Sequence, residues 1–175
     1  MRVFAGIAAT AILIAACGGT AAVSTPTPTP SPTASPTPTP APTVANVFKA
    51  DLKASNETPA PITDAEATCA GTATVTFTST TAKFDVVITG CPASTVINIG
   101  HIHEGAAGVG GAVKIDTGLK AGDLTLTNGG VTFSKTATAD AALISTIMAN
   151  PSGYYVNFHS TVHGGGVIRG QLTKA

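Results

Sequence analysis

Residues 73–89 read ATVTFTSTTAKFDVVIT, and the alternation in this stretch decides the fold. Successive side chains of an extended chain point to opposite sides. Ala73, Val75 and Phe77 therefore share one face, with Thr74, Thr76 and Thr78 on the other. After the polar turn at 79–81, Phe84, Val86 and Ile88 repeat the pattern. Two strands with one apolar face each and a short polar connection read as an antiparallel hairpin.

The same period of two runs outward in both directions. VFKADLKA (47–54), TVINIGHIH (95–103), GAVKIDTG (111–118), LTLTNGGVTFSKT (124–136), YYVNFHS (154–160) and GVIRGQLT (166–173) are further strand candidates. Asn128-Gly129-Gly130 supplies a turn between two of them. TADAALISTIMANP breaks the rhythm, because Leu143, Ile144, Ile147 and Met148 recur at helical spacing. Thr138 or Asp140 can cap that helix and Asn150-Pro151 stops it. Eight or so short strands in the part from residue 46 onward predict an all-β, antiparallel Greek-key β-sandwich with one short crossover helix.

The first 45 residues obey different rules. VFAGIAATAILIAA, residues 3–16, is an apolar run behind Arg2, of the length of a signal-peptide core and short for a membrane span. Ile14-Ala15-Ala16-Cys17 resembles the lipobox of bacterial lipoproteins, and that resemblance implies lipidation of Cys17 and cleavage before it. Residues 18–45, GGTAAVSTPTPTPSPTASPTPTPAPTVA, carry no charge and almost no bulky side chain. Such a stretch cannot bury enough apolar surface to offset backbone ordering, and its prolines favour an extended state. At about 3 Å per residue it reaches on the order of 60–80 Å. The expected organisation is a lipoprotein signal peptide at 1–16, the lipidated Cys17 with a Thr/Pro-rich linker over 17–45, and a β-domain over 46–175. The expected location is the cell envelope, lipid-anchored to the membrane and facing the extracytoplasmic side.

Composition narrows the partners. Nine Lys and Arg balance nine Asp and Glu in 175 residues, so no basic surface exists to neutralise phosphates and nucleic acid is excluded. Cys69 and Cys91 flank the first hairpin, and an exported chain with two such cysteines is expected to join them. One difficulty is visible beforehand. If Phe77 and Phe84 face one core, Cys69 and Cys91 miss each other by one residue, unless Gly90 provides a kink or bulge.

Three segments together resemble the CHRD domain, first described in chordin. FKADLKASNETPAP matches its opening strand and turn, with Glu57-Thr58-Pro59 in place of its Glu-x-Pro-Pro. GHIHEGAAGVGG matches its His-x-His-x-Gly signature, and ANPSGYYVNFHSTVHGGGVIRGQL its closing segment. The resemblance covers most of residues 47–173. It implies an extracellular, immunoglobulin-like β-sandwich and a binding role toward an unknown protein or envelope ligand. Val167 departs from the family, which often carries glutamate there, so Arg169 loses a carboxylate partner.

All four histidines fall in two of these segments. Alternation puts His101 and His103 on one face of a strand, about 7 Å apart along it. Asn157 and His159 share a face of the closing strand. If the two strands pair, His101, His103 and His159 form a three-nitrogen set suited to zinc or copper, with Glu104 and His163 as additional ligand candidates. The competing reading is structural: the same imidazoles bond to carbonyls, Asn157 or Arg169 and fix strand register. A third reading is a pH-sensitive face.

His-x-His on a Greek-key strand is also similar to copper–zinc superoxide dismutase, which implies an oxidoreductase alternative. That family needs six histidines and an aspartate for two metals, and this chain has four histidines. No nucleophile elbow is present, and the glycines at 105, 108, 110 and 111 lack the Gly-Lys-Ser/Thr of a phosphate loop. Arg169 and Asn157 remain structural or anion-binding candidates. The function expected is therefore non-enzymatic: a membrane-anchored surface domain for binding, with metal binding as the alternative.

Overall fold

The computed structural model of the chain describes residues 46–175. The expected signal peptide, Cys17 and the linker lie outside the described residues. Nine strands and one α-helix follow in order: β1 (Asn46–Lys53), β2 (Ala70–Phe77), β3 (Thr81–Thr89), β4 (Ile97–Glu104), β5 (Val113–Asp116), β6 (Val131–Thr138), α1 (Ala141–Ala149), β7 (Tyr154–Ser160), β8 (Ile168–Gln171) and β9 (Thr173–Lys174).

All strand pairs are antiparallel, in the order β5-β4-β7-β8-β1-β2-β3-β6 with β9 beside β1. The two halves of this sheet join through the single pair Lys53 with Arg169. At the opposite end β6 comes against β5, so the sheet nearly closes on itself. The apolar faces of both halves enclose one core. Phe48, Val75, Phe77, Phe84, Val86 and Ile88 enter from one half, and Ile97, Ile102, Val156, Phe158 and Ile168 from the other. Each such side chain contributes roughly 1.5–3 kcal/mol on leaving water.

The opening hairpin forms as its alternation predicts, with Val75 facing Phe84 and Phe77 facing Ala82. This ladder pairs Ala70 with Thr89, so it leads Cys69 toward Gly90 rather than Cys91. Gly90 takes φ 72°, and a Cβ there would lie 2.6 Å from the Thr68 carbonyl oxygen. A left-handed glycine costs no steric strain, and the kink brings Cys91 into line. Cys69 and Cys91 are disulfide-bonded with their Cα atoms 4.3 Å apart.

The helix forms where its stripe predicts. Asp140 is the cap, its Oδ1 accepting from Ala142 and Leu143 amides, while Ile144 and Ile147 are buried. One expected strand is absent. Around residues 124–127 only Thr127 bridges, to Gly130 across the Asn128-Gly129 turn. Thr117 Oγ1 donates to the Gly100 carbonyl and Leu119 is buried, which ties the preceding loop to the end of the core. Leu124 and Leu126 pack partly against that core, so the alternation marked packing and not pairing.

Candidate functional site

Strand β7 is buried along its whole length. Val156 and Phe158 face the apolar core. The other face carries Tyr155, Asn157 and His159, and it is roofed by loops instead of open to water. β4 lies on one side of β7, pairing His101 with Asn157 and His103 with Tyr155. β8 lies on the other, pairing Arg169 with Asn157 and Gln171 with Tyr155. A polar layer is thus sealed between the β4-β7-β8 sheet and the loops that cover it.

Three imidazoles converge in this layer. His101, His103 and His159 each offer one ring nitrogen, and these nitrogens lie within 4.8 Å of one another. Two rings have their orientation set by backbone. His103 Nδ1 is 2.9 Å from the Gly111 carbonyl and His159 Nδ1 is 2.9 Å from the Gly164 carbonyl. A carbonyl only accepts, so both Nδ1 atoms carry a proton, and in the neutral ring Nε2 is then the atom with the lone pair. His103 Nε2 is buried and has no hydrogen-bond partner. His159 Nε2 sits 3.3 Å from His101 Nδ1. The far nitrogen of His101 faces Asp116 Oδ1 at 3.9 Å.

Burial disfavours the charged form of His101 and of His159. Burial pushes the His101 pKa below 6.5, and the neighbouring His159 adds to that shift. Burial likewise lowers His159, partly offset by its bond to Gly164. A neutral imidazole with its second nitrogen tied to a carbonyl is the arrangement in which histidine binds metals.

The other ligand candidates stand apart. Glu104 pairs with Lys114 at 2.7 Å. His163 Nε2 sits 2.9 Å from Asp64 and 3.7 Å from Glu66. Its backbone amide bonds Ser160 Oγ, whose hydroxyl donates to buried Glu66. His163 therefore latches the loop that carries the Gly164 carbonyl, and its imidazole does not join the other three.

Arg169 is 2% exposed and lies with its guanidinium carbon 3.4 Å from the centre of the Tyr155 ring. Tyr155 stacks in turn on His103, 5.0 Å between ring centres and 6° from parallel. The guanidinium donates to Thr58 Oγ1 and to the carbonyls of Ala106 and Val109. Gln171 donates to the Gly105 carbonyl, and Tyr155 Oη accepts from the Gly111 amide. These bonds fasten the glycine-rich loop whose Gly111 carbonyl orients His103. Val167 is wholly buried apolar surface, and the carboxylate whose charge Arg169 feels is Glu57.

Glu57 and Asn157 complete the layer, 6% and 3% exposed, and each keeps one side-chain oxygen with no protein partner. Gly166 crosses directly over both at φ 132°; a Cβ there would lie 2.4 Å from Asn157 Nδ2 and 2.6 Å from Glu57 Oε2. Sequence reasoning missed Asp116 beside His101 and the two orienting carbonyls. Asp116 occurs in a predicted strand, but only the β4–β5 register places it opposite His101.

The family model of the CHRD domain matches residues 48–172. No curated protein and no solved structure gives a significant match.

Proposed function

The chain belongs to the CHRD-domain family, and from that premise we propose that it is an envelope-anchored binding domain holding one zinc or copper ion between His101, His103 and His159. The observation that carries the metal is the buried, unpartnered Nε2 of His103. A purely structural histidine cluster leaves that atom unsatisfied, which costs about 1–3 kcal/mol. A metal ion takes its lone pair and those of His159 Nε2 and His101 Nδ1 together. Metal–nitrogen bonds run about 2.0–2.1 Å, so the present spread of up to 4.8 Å closes with side-chain adjustments of under about 1 Å.

Three protein ligands leave room for a further ligand at the ion, as open sites do. We assign a binding rather than a catalytic role. Four histidines, one of them held by Asp64, do not fill the two-metal set of the superoxide dismutases. The anchored, extracytoplasmic location is supported by the lipobox at Cys17 and the Thr/Pro-rich linker.

Calorimetric titration of untagged protein with zinc(II) and copper(II) tests the site. One equivalent should bind, His159→Ala should abolish it, and His163→Ala should retain most of the affinity. Equal losses in the two variants would show that the ion sits elsewhere.

A further inference from the structure

The three converging imidazoles are not equivalent. His103 and His159 each turn Nδ1 to a carbonyl at 2.9 Å, so the nitrogen they offer an ion is already free of a proton in the neutral ring. His101 is held differently. Its Nδ1 lies 3.3 Å from His159 Nε2, and its Nε2 faces Asp116 Oδ1 at 3.9 Å. We infer that Asp116 is a positioning residue for the metal site: it accepts a hydrogen bond from His101 Nε2–H, in the tautomer that the ring adopts when Nδ1 turns its lone pair to the ion. The inference rests on the metal reading above and adds to it the group that fixes the third ligand.

The placement of protons carries the argument. In a neutral ring His159 Nε2 has the lone pair, so the 3.3 Å contact is a hydrogen bond when His101 Nδ1 is the donor. In this arrangement His101 carries its proton on the very atom that an ion needs. Its Nε2 is left with a lone pair facing a carboxylate, acceptor against acceptor, and 3.9 Å is too long for a hydrogen bond. An ion between the rings reverses both contacts. It takes the two lone pairs that a single proton bridged. The Nδ1 proton leaves to water, Nε2 takes one from water, and the ring stays neutral. Nε2–H and the carboxylate can then form a charge-assisted bond of about 2.7–2.9 Å, the outer contact that orients a ligand imidazole.

Asp116 is placed for this role. The β4–β5 register sets it directly opposite His101. Its Oδ1 also accepts from the Gly118 amide at 2.8 Å, which holds the carboxylate at the end of its strand. The Asp116 side chain is 66% exposed, so an approach of about 1 Å needs only a small change of rotamer angle. The set of groups within 4.8 Å of one another holds the three histidines and not Asp116. The carboxylate thus stands behind His101 instead of beside the ion.

The test is proton–nitrogen correlation NMR of the histidine rings in full-length, untagged, nitrogen-labelled protein. It is run at about pH 8, where a free imidazole is neutral, before and after one equivalent of zinc(II). Before zinc, His101 should carry its proton on Nδ1. After zinc, Nδ1 should be the bound nitrogen and Nε2 the protonated one, while His103 and His159 keep Nδ1–H. Asp116→Ala should weaken zinc binding about 10- to 100-fold and move the His101 Nε2–H resonance upfield, which a general loosening of the fold does not do. Three results would overturn the inference and leave the metal reading standing: His101 protonated on Nε2 before zinc, zinc bound through His101 Nε2, or an affinity or Nε2–H resonance unchanged in Asp116→Ala. A natural chain that binds no zinc would overturn both.

Discussion

Glu57 is a carboxyl group held against its own ionisation. Burial raises its pKa from 4.5 to about 7, although the Arg169 charge and the Asn157 amide pull it partly back. A raised carboxyl means that the folded state binds more protons than the unfolded state between those two values. Its contribution is thus fully present below about pH 4.5 and is lost as pH rises through 7. At 1.36 kcal/mol per unit the loss is on the order of 3 kcal/mol. His101 and His159 act oppositely, since their lowered pKa values remove stability as pH falls below 6.5. The Glu57 effect is isolated by difference. Urea denaturation of Glu57→Gln and the natural chain should give a gap that shifts in the variant's favour from pH 5 to pH 8. A gap independent of pH would mean that Glu57 is ionised in the fold.

The hairpin β2–β3 and the strand β7 show what an element tells from its sequence and what it hides. β2 and β3 have one buried face, and alternation alone identified Ala73, Val75, Phe77, Phe84, Val86 and Ile88. β7 is buried on both faces, yet YYVNFHS still reads as alternating, because its second face is polar and is covered by loops of remote sequence. Alternation placed Asn157 and His159 together and offered His101 and His103 as their neighbours, but the groups that orient the rings could not be read. Gly111 and Gly164 contribute backbone oxygens, which leave no trace in residue type. Asp116 and the separation of His163 depend on register and on the latch to Asp64. The cysteine pair was legible for the opposite reason: its one-residue mismatch pointed to Gly90, where the kink occurs. Closing the loop between cysteines 22 residues apart stabilises by roughly 3 kcal/mol on a chain-entropy estimate. Reduction should lower the melting midpoint accordingly, and Cys69→Ala/Cys91→Ala should match the reduced protein. An unchanged midpoint on reduction would place the restraint elsewhere. Phe84→Ala, at the centre of the core, should cost about 3–5 kcal/mol in equilibrium unfolding.

The proposed signal peptide and lipid anchor, and the β-domain that follows, each imply their own assay. If Cys17 is lipidated, Cys17→Ser should release the protein from the membrane fraction or leave it as uncleaved precursor. Unaltered processing and membrane attachment in that variant would defeat the anchored reading. The proposed metal site lies in the layer beneath the loops, where three imidazoles meet with one nitrogen unsatisfied. It is tested most directly by metal analysis combined with X-ray absorption on untagged protein loaded with zinc and dialysed. The account predicts one ion per chain with three imidazole nitrogens at about 2.0–2.1 Å, lost when His101, His103 and His159 are all replaced by alanine. Protein that emerges from dialysis without metal, or a triple variant that keeps its ion, would contradict it.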